Sequence, residues 1–286
     1  MPQTATTGNL ESAQKIIIAS SRYTEEHNAP AMALIESFSL PKGAKQVTVP
    51  KVGQMSMSDL TDGQDIVDEE DIGMTTVDLT ASEVGAKIIL TDKLIRQSAE
   101  NVMSIVGRQL GDGMARKKDN DVTALYSGFS TDLGAAGRSM SLANLSAVVA
   151  YAKGNKFGSQ VYVNHHPFTV WDIANTAVTA SSTYPVPKGW SEDLLGDFFS
   201  GLRPLNGVPI FEDGNISIDS SDDAIGVVAD KSALAVLKSV ETRTERQRDA
   251  SLRATELVMT SDYGVFELDD SKGAALTLDA GTPATS

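Results

Sequence analysis

The 286-residue chain contains no cysteine, which excludes disulfide staples and thiolate chemistry. Histidine is almost as scarce: His27, His165 and His166 are the only three. Positive charge is in deficit, with 24 Lys plus Arg against 38 Asp plus Glu and a formal charge of −14, so whole-chain attraction to nucleic acid is not expected. Aromatics make up 6% of residues and do not interleave with the basic ones, which argues against a stacking platform for single strands. No apolar run approaches the ~20 residues of a membrane span. The opening MPQTATTGNLESAQ lacks the basic and apolar regions of a signal peptide, so synthesis and retention in a cytoplasm are expected. The P-loop, the paired-histidine zinc helix and the nucleophile-elbow serine are all missing from the sequence. Gly111-Asp112-Gly113 falls inside a helical pattern and is no dinucleotide fingerprint. No internal repeat is visible. No catalytic, cofactor-binding or metal-binding residue is assigned.

What the chain does have is length for about two compact domains and one dominant helical signal from Thr91 to Phe129. Thr91 and Asp92 can cap its start, with Leu94 and Ile95 forming the first apolar face. Val102, Val106, Leu110 and Met114 then recur at every fourth position; the ladder breaks at Lys118 and resumes at Val122 and Tyr126. A four-residue step drifts by about 40° per turn of a helix with 3.6 residues per turn. The stripe therefore winds, and the helix needs more than one partner. Gly107, Gly111 and Gly113 sit inside it, each costing roughly 0.8–1 kcal/mol against alanine. Either the helix bends there, or Gly107 and Gly111, one turn apart, admit another backbone.

Residues 1 to about 40 read as an arm, with a short amphipathic helix around Leu10 to Ala19 and an apolar piece from Met32 to Phe38. Strand patterns follow at Gln46–Lys51, Thr75–Thr80 and Val84–Leu90, together suggesting one long hairpin. Its tip is acidic: Asp59, Asp62, Asp65, Asp68, Glu69, Glu70, Asp71, Asp78 and Glu83 lie between Gly53 and Gly85, where there is no lysine or arginine. Self-repulsion keeps such a loop extended unless a basic partner or cation meets it. The carboxylate order around Gly63 does not match a calcium loop.

After a glycine-rich turn at Gly134 to Ser139, element types alternate. Helices are expected at Leu142 to Ala152, Pro167 to Asn175, Glu192 to Phe199 and, capped by Asp230, Ser232 to Lys238; strands are expected at Gln160 to Asn164, Val208 to Phe211 and Ala224 to Val228. A polar alternation from Thr242 to Arg248 puts Arg243, Glu245 and Gln247 on one face and Thr244, Arg246 and Arg248 on the other, ahead of apolar strands through Leu268. His165 and His166 adjoin Pro167 at a strand end, where neighbouring side chains point to opposite faces and do not easily bind one metal together. They mark a strand-to-helix turn or, alternatively, a site of an α/β hydrolase-like enzyme.

Taken in order, these pieces resemble the major capsid protein of tailed bacteriophages, the HK-ninety-seven fold also used by encapsulins. The resemblance covers nearly the whole chain and rests on the order and lengths of the pieces. It implies an α+β fold: an N-terminal arm (1–45), an extended hairpin called the E-loop (46–90), a peripheral domain with a long spine helix (91–140 and 239–286) and an axial α/β domain (141–238). It implies a structural protein, not an enzyme, that self-assembles as hexamers and pentamers into an icosahedral shell enclosing double-stranded DNA without sequence-specific binding. A separate scaffolding protein, a portal and a decoration protein are the implied partners, with no membrane. The implied location is the virion, assembled in the host bacterial cytoplasm. Between subunits, the E-loop acids Asp62, Asp65, Asp68, Glu69, Glu70 and Asp71 would meet basic partners among Arg108, Arg116, Lys117, Lys118, Arg243, Arg246 and Arg248. Gly107 and Gly111 would allow close packing on the spine helix. Some members cross-link their shells through an E-loop lysine, and Gly53 to Gly85 holds none. An encapsulin-type compartment is the alternative on the same fold.

Overall fold

The computed structural model describes residues 29–51, 59, 73–97, 102–178 and 207–283. Two four-stranded sheets and a separate two-stranded hairpin are arranged around one long helix. In chain order come α1 (Ala31–Leu34), β1 (Glu36–Ser39), β2 (Gln46–Lys51), β3 (Thr75–Thr80), β4 (Ser82–Thr91), α2 (Asp92–Gln97) and α3 (Val102–Ala124). Then follow α4 (Leu142–Gly154), β5 (Val161–His165), α5 (Pro167–Val178), β6 (Ile210–Glu212), β7 (Asp223–Asp230), β8 (Leu234–Asp249), β9 (Ala254–Glu267) and β10 (Gly273–Asp279).

The first sheet has the order β1-β8-β9-β4, with β1 parallel to β8 and the remaining pairs antiparallel. The second has the order β10-β7-β5-β6, and only β5–β6 is parallel. β2 and β3 pair with each other in full register from Gln46↔Thr80 to Lys51↔Thr75.

The long helix behaves as its drifting stripe requires. Val106, Leu110 and Met114 pack with Leu90, Leu257 and Met259 on the first sheet. Two turns on, Val122 and Tyr126 enter a second cluster shared by both sheets, with Leu234, Val236 and Tyr263 from one and Tyr162, Val227 and Ala275 from the other. Tyr126 lies on a 3-10 turn, Leu125–Gly128, that extends α3. A third cluster fills the space between the second sheet and helices α4 and α5, from Leu145 and Val148 to Val170 and Ile173. Local signals agree at the helix starts: Thr91 Oγ1 accepts from Leu94 N–H at 3.3 Å, Ser141 Oγ accepts from Asn144 N–H at 3.2 Å, and Pro167 opens α5.

Four segments differ from the sequence expectation. Ser232 to Lys238 is not a helix. Asp230 does cap, but it caps a turn, accepting from Ser232 N–H at 3.2 Å and Oγ at 2.6 Å. Leu234 to Leu237 then runs into β8 with every residue at 0% exposure, because a strand covered on both faces reads as an unbroken apolar run. β4 pairs with β9 over ten residues and does not prolong the β2–β3 hairpin. Glu36–Ser39, within the expected arm, is an edge strand of the first sheet. Gly273–Asp279, grouped by sequence with the peripheral segment 239–286, pairs with β7 in the second sheet. The expected helices at Leu10 to Ala19 and Glu192 to Phe199 lie outside the described residues.

Candidate assembly surface

The β2–β3 hairpin stands on two attachments. Leu79 is fully buried, and Lys51 Nζ pairs with Asp269 at 2.5 Å. The rest of both strands is exposed or half-buried, and an isolated two-stranded hairpin is marginal in water. The acidic segment lies between β2 and β3 in the sequence. Asp62, Asp65, Asp68, Glu69, Glu70 and Asp71 lie outside the described residues, as does Gly63; Asp59, Asp78 and Glu83 are exposed. Asp78 is engaged locally, its Oδ1 accepting from Thr48 Oγ1 at 2.6 Å.

The candidate basic partners separate into two groups. Lys117 pairs with Asp121 one turn along at 2.6 Å. Lys118 donates to Thr242 Oγ1 at 3.0 Å and stands 5.5 Å above the Tyr263 ring, which explains the break in the apolar ladder: this position bridges α3 to the sheet. Arg248 makes a two-pronged pair with Asp92 at 2.6 and 2.7 Å, which raises its pKa. Arg243 reaches Thr260 Oγ1 at 3.4 Å and Glu245 at 3.6 Å. On β8 the Thr244 face turns inward, Thr244 buried and Arg246 half-buried, while Arg243, Glu245 and Gln247 are exposed. Arg108 and Arg116 are exposed on α3 without an ion pair among the described residues. Gly107 and Gly111 are buried; Gly113 is exposed, and an added Cβ there meets nothing within 4 Å.

The two histidines do structural work. His165 is fully buried, its Nε2 donating to Leu276 O at 2.9 Å and its Nδ1 accepting from His166 N–H at 2.9 Å. Burial pushes its pKa down to about 4, so the ring is neutral at pH 7. His166 Nδ1 accepts from Phe168 N–H at 3.2 Å, closing the strand-to-helix turn, and burial lowers its pKa as well. Among the described residues no group of three or more histidine or carboxylate side chains is placed to hold a metal ion, and no helix is long and apolar enough to cross a membrane.

A polar network that the sequence did not signal lies where α3 meets the second sheet. Asp119, at 0% exposure, accepts from Ala31 N–H at 3.0 Å and from Asn215 Nδ2 at 2.9 Å. Burial, with the adjacent Asp213 carboxyl, raises its pKa to about 7. Nearby, Asn164 Nδ2 donates to Tyr126 OH at 2.8 Å. The only sequence clue is the interruption of the α3 stripe beside Asp119.

Two mixed sheets joined through one long helix, with a hairpin set apart from both, define an α+β chain of the HK-ninety-seven type. Solved structures carry the same fold. The chain is similar to the capsid of cyanophage P-SCSP1u (14% identity, 87% of each chain covered, TM-score 0.64). It is similar to the head of Helicobacter pylori bacteriophage KHP40 (12% identity, 87% of this chain and 88% of that one, TM-score 0.70). A third likeness is to the capsid of a native GTA particle (12% identity, 87% and 90%, TM-score 0.65). No protein-family model matches the chain, and no curated protein matches it. At these identities the likeness is one of fold.

Proposed function

We propose that this chain is a major capsid protein that assembles as hexamers and pentamers into an icosahedral phage shell enclosing double-stranded DNA. The observation that carries this reading is the shared fold over 87% of this chain and 87–90% of the phage and GTA capsid chains. The role is structural. Of the residues an enzyme reading needs, His165 has both ring nitrogens in backbone hydrogen bonds and His166 uses Nδ1 in another.

On this reading the β2–β3 hairpin is the root of the E-loop, α3 is the spine helix, the first sheet belongs to the peripheral domain and the second to the axial domain. The acidic tip reaches across to a neighbouring subunit. Arg108 and Arg116 are its best-placed partners, because Lys117, Arg243 and Arg248 already hold carboxylates of their own chain. Each exposed pair contributes only about 0.2–1 kcal/mol, but the contact repeats around every capsomer. A net charge of −14 suits a container whose wall must not hold the packaged DNA. Scaffold, portal and decoration proteins are separate partners, and the product is the virion, built in the host cytoplasm. Reversing Asp65, Asp68, Glu69 and Glu70 to lysine tests the contact: shell formation becomes defective and loses its salt dependence, whereas normal shells by electron microscopy contradict it.

A further inference from the structure

Asp119 and Asp213 come from different parts of the fold, α3 and the loop that follows β6, and they meet with almost no access to water, at 0% and 1% exposure. Asn215 holds the two together, its side-chain N–H donating to Asp119 Oδ2 at 2.9 Å and its backbone N–H to Asp213 Oδ1 at 2.9 Å. The other polar positions are accounted for. Asp119 accepts from Ala31 N–H and Asn215 Nδ2, and Asp213 Oδ1 accepts from Asn215 N–H at 2.9 Å. Asp213 Oδ2 alone has no donor. Two bare carboxylates held by one asparagine out of water repel strongly, and a buried acceptor without a donor is costly. One proton removes both penalties.

We infer that Asp119 holds a proton which it donates to Asp213, and that this shared proton is a pH-sensitive clasp between the long helix, the start of α1 and the second sheet. Each partner in the contact is tied into a different element. Ala31 N–H begins α1, Asp213 N–H donates to His165 O at 3.0 Å at the end of β5, and Asp119 sits mid-helix on α3. Loss of the proton to water leaves two negative charges facing each other and drives the β6 loop away from α3.

The surrounding groups do not supply a compensating charge. On α3, Asp112 and Arg116 line the same cavity as Asp213 and Asn215, but Arg116 is solvent-exposed, where water screens it. Tyr126, further along the same segment, is buried, and burial holds its own pKa well above the ordinary value. From the second sheet come Tyr162 and Asn164, which are uncharged, and just after β5 comes His166, whose pKa burial lowers although the Asp213 carboxylate opposes that shift. The residues before α1, Ala29 and Pro30, carry no charge. The raised pKa of Asp119, about 7 with burial as its main cause and Asp213 next, agrees with the geometry.

The clasp does not depend on shell assembly, so the unassembled full-length chain is the test object. The informative variant is Asp213→Asn, since its oxygen can keep the bond from Asn215 N–H while its amide N–H takes the place of the shared proton. Thermal unfolding is followed from about pH 4 to about pH 8, a range that spans the ordinary value of Asp119, 3.8, and its raised value of about 7. The wild type loses several degrees of melting temperature relative to Asp213→Asn as pH rises, and the variant equals or exceeds it at the alkaline end. His165 and the other titrating groups are common to both proteins, so the difference isolates the pair. Parallel pH profiles overturn the proposal. Infrared spectroscopy gives a second reading: a protonated-carboxyl band at about pH 6 that Asp119→Asn removes supports the shared proton, and a wild type without the band, or a band that Asp119→Asn leaves unchanged, refutes it.

Discussion

Asn164 donates its side-chain N–H to the hydroxyl of Tyr126 at 2.8 Å, and both residues have 0% exposure. The bond joins the end of the long helix to the central region of the second sheet. Its partner atom on the same amide, Asn164 Oδ1, already lacks a donor, so the site has little tolerance for a further loss. Tyr126→Phe keeps the ring packing but strands the amide N–H, at a cost of about 1–3 kcal/mol. Chemical denaturation checks this. A lower midpoint with unchanged secondary structure is expected; an unchanged midpoint contradicts it.

The glycines of α3 separate into two kinds. Gly113 is exposed and nothing stands where a Cβ would go, so Gly113→Ala stabilises the chain by roughly 0.8–1 kcal/mol through helix propensity. Gly107 and Gly111 are buried. Replacing both with alanine is expected to impair shell assembly if they admit a neighbouring backbone; intact shells from that double variant assign the glycines to a bend alone. Melting temperature reads the first substitution, and particle yield reads the second.

His165 makes the acid limb of stability steep. Its folded pKa of about 4 lies below the ordinary 6.5 because burial disfavours the cation. The unfolded chain then binds the extra proton first, so stability is fully present above the ordinary value and is lost as pH falls through the folded one, by up to roughly 3 kcal/mol. His165→Gln removes this contribution and flattens the profile between about pH 6.5 and about pH 4. An unchanged slope contradicts it. Asp119 works in the opposite direction, weakening the fold as pH rises, and the two variants separate the limbs.

Gly226 faces the same histidine. A Cβ placed there meets His165 Cδ2 at 2.2 Å and Asn164 O at 2.6 Å, and neither backbone nor a hydrogen-bonded ring gives way easily. Gly226→Ala is expected to destabilise by about 1–3 kcal/mol, as overpacked core sites do, measured by denaturant titration. A neutral effect contradicts tight packing of β5 against β7 at this position.

Legibility from sequence followed the range of the interactions involved. β2 and β3 were readable to the residue, since alternation and a terminal Pro50 are local signals. The winding stripe of α3 correctly implied two packing partners, because periodicity records which way side chains point. Ser232 to Lys238 was misread because an apolar run with a good cap satisfies helix rules equally well, and only the flanking strands β1 and β9 decide the matter. β10 was missed for a related reason: the small residues Gly273, Ala274 and Ala275 give a weak strand pattern, and pairing with β7 supplies what propensity lacks. The Asp119–Asp213 contact joins positions far apart in the chain, and no spacing rule connects them. Arg108 and Arg116 emerge exposed, while Lys117, Lys118 and Arg248 are engaged by their own chain.

Closed shells built from this chain are what the proposed function requires. Sedimentation followed by electron microscopy measures this directly. Megadalton icosahedral particles made of hexamers and pentamers, containing DNA when isolated from infected cells, are expected; a stable species at the 30.3 kDa of one chain, or shells filled with a cargo enzyme in place of DNA, contradicts the capsid role.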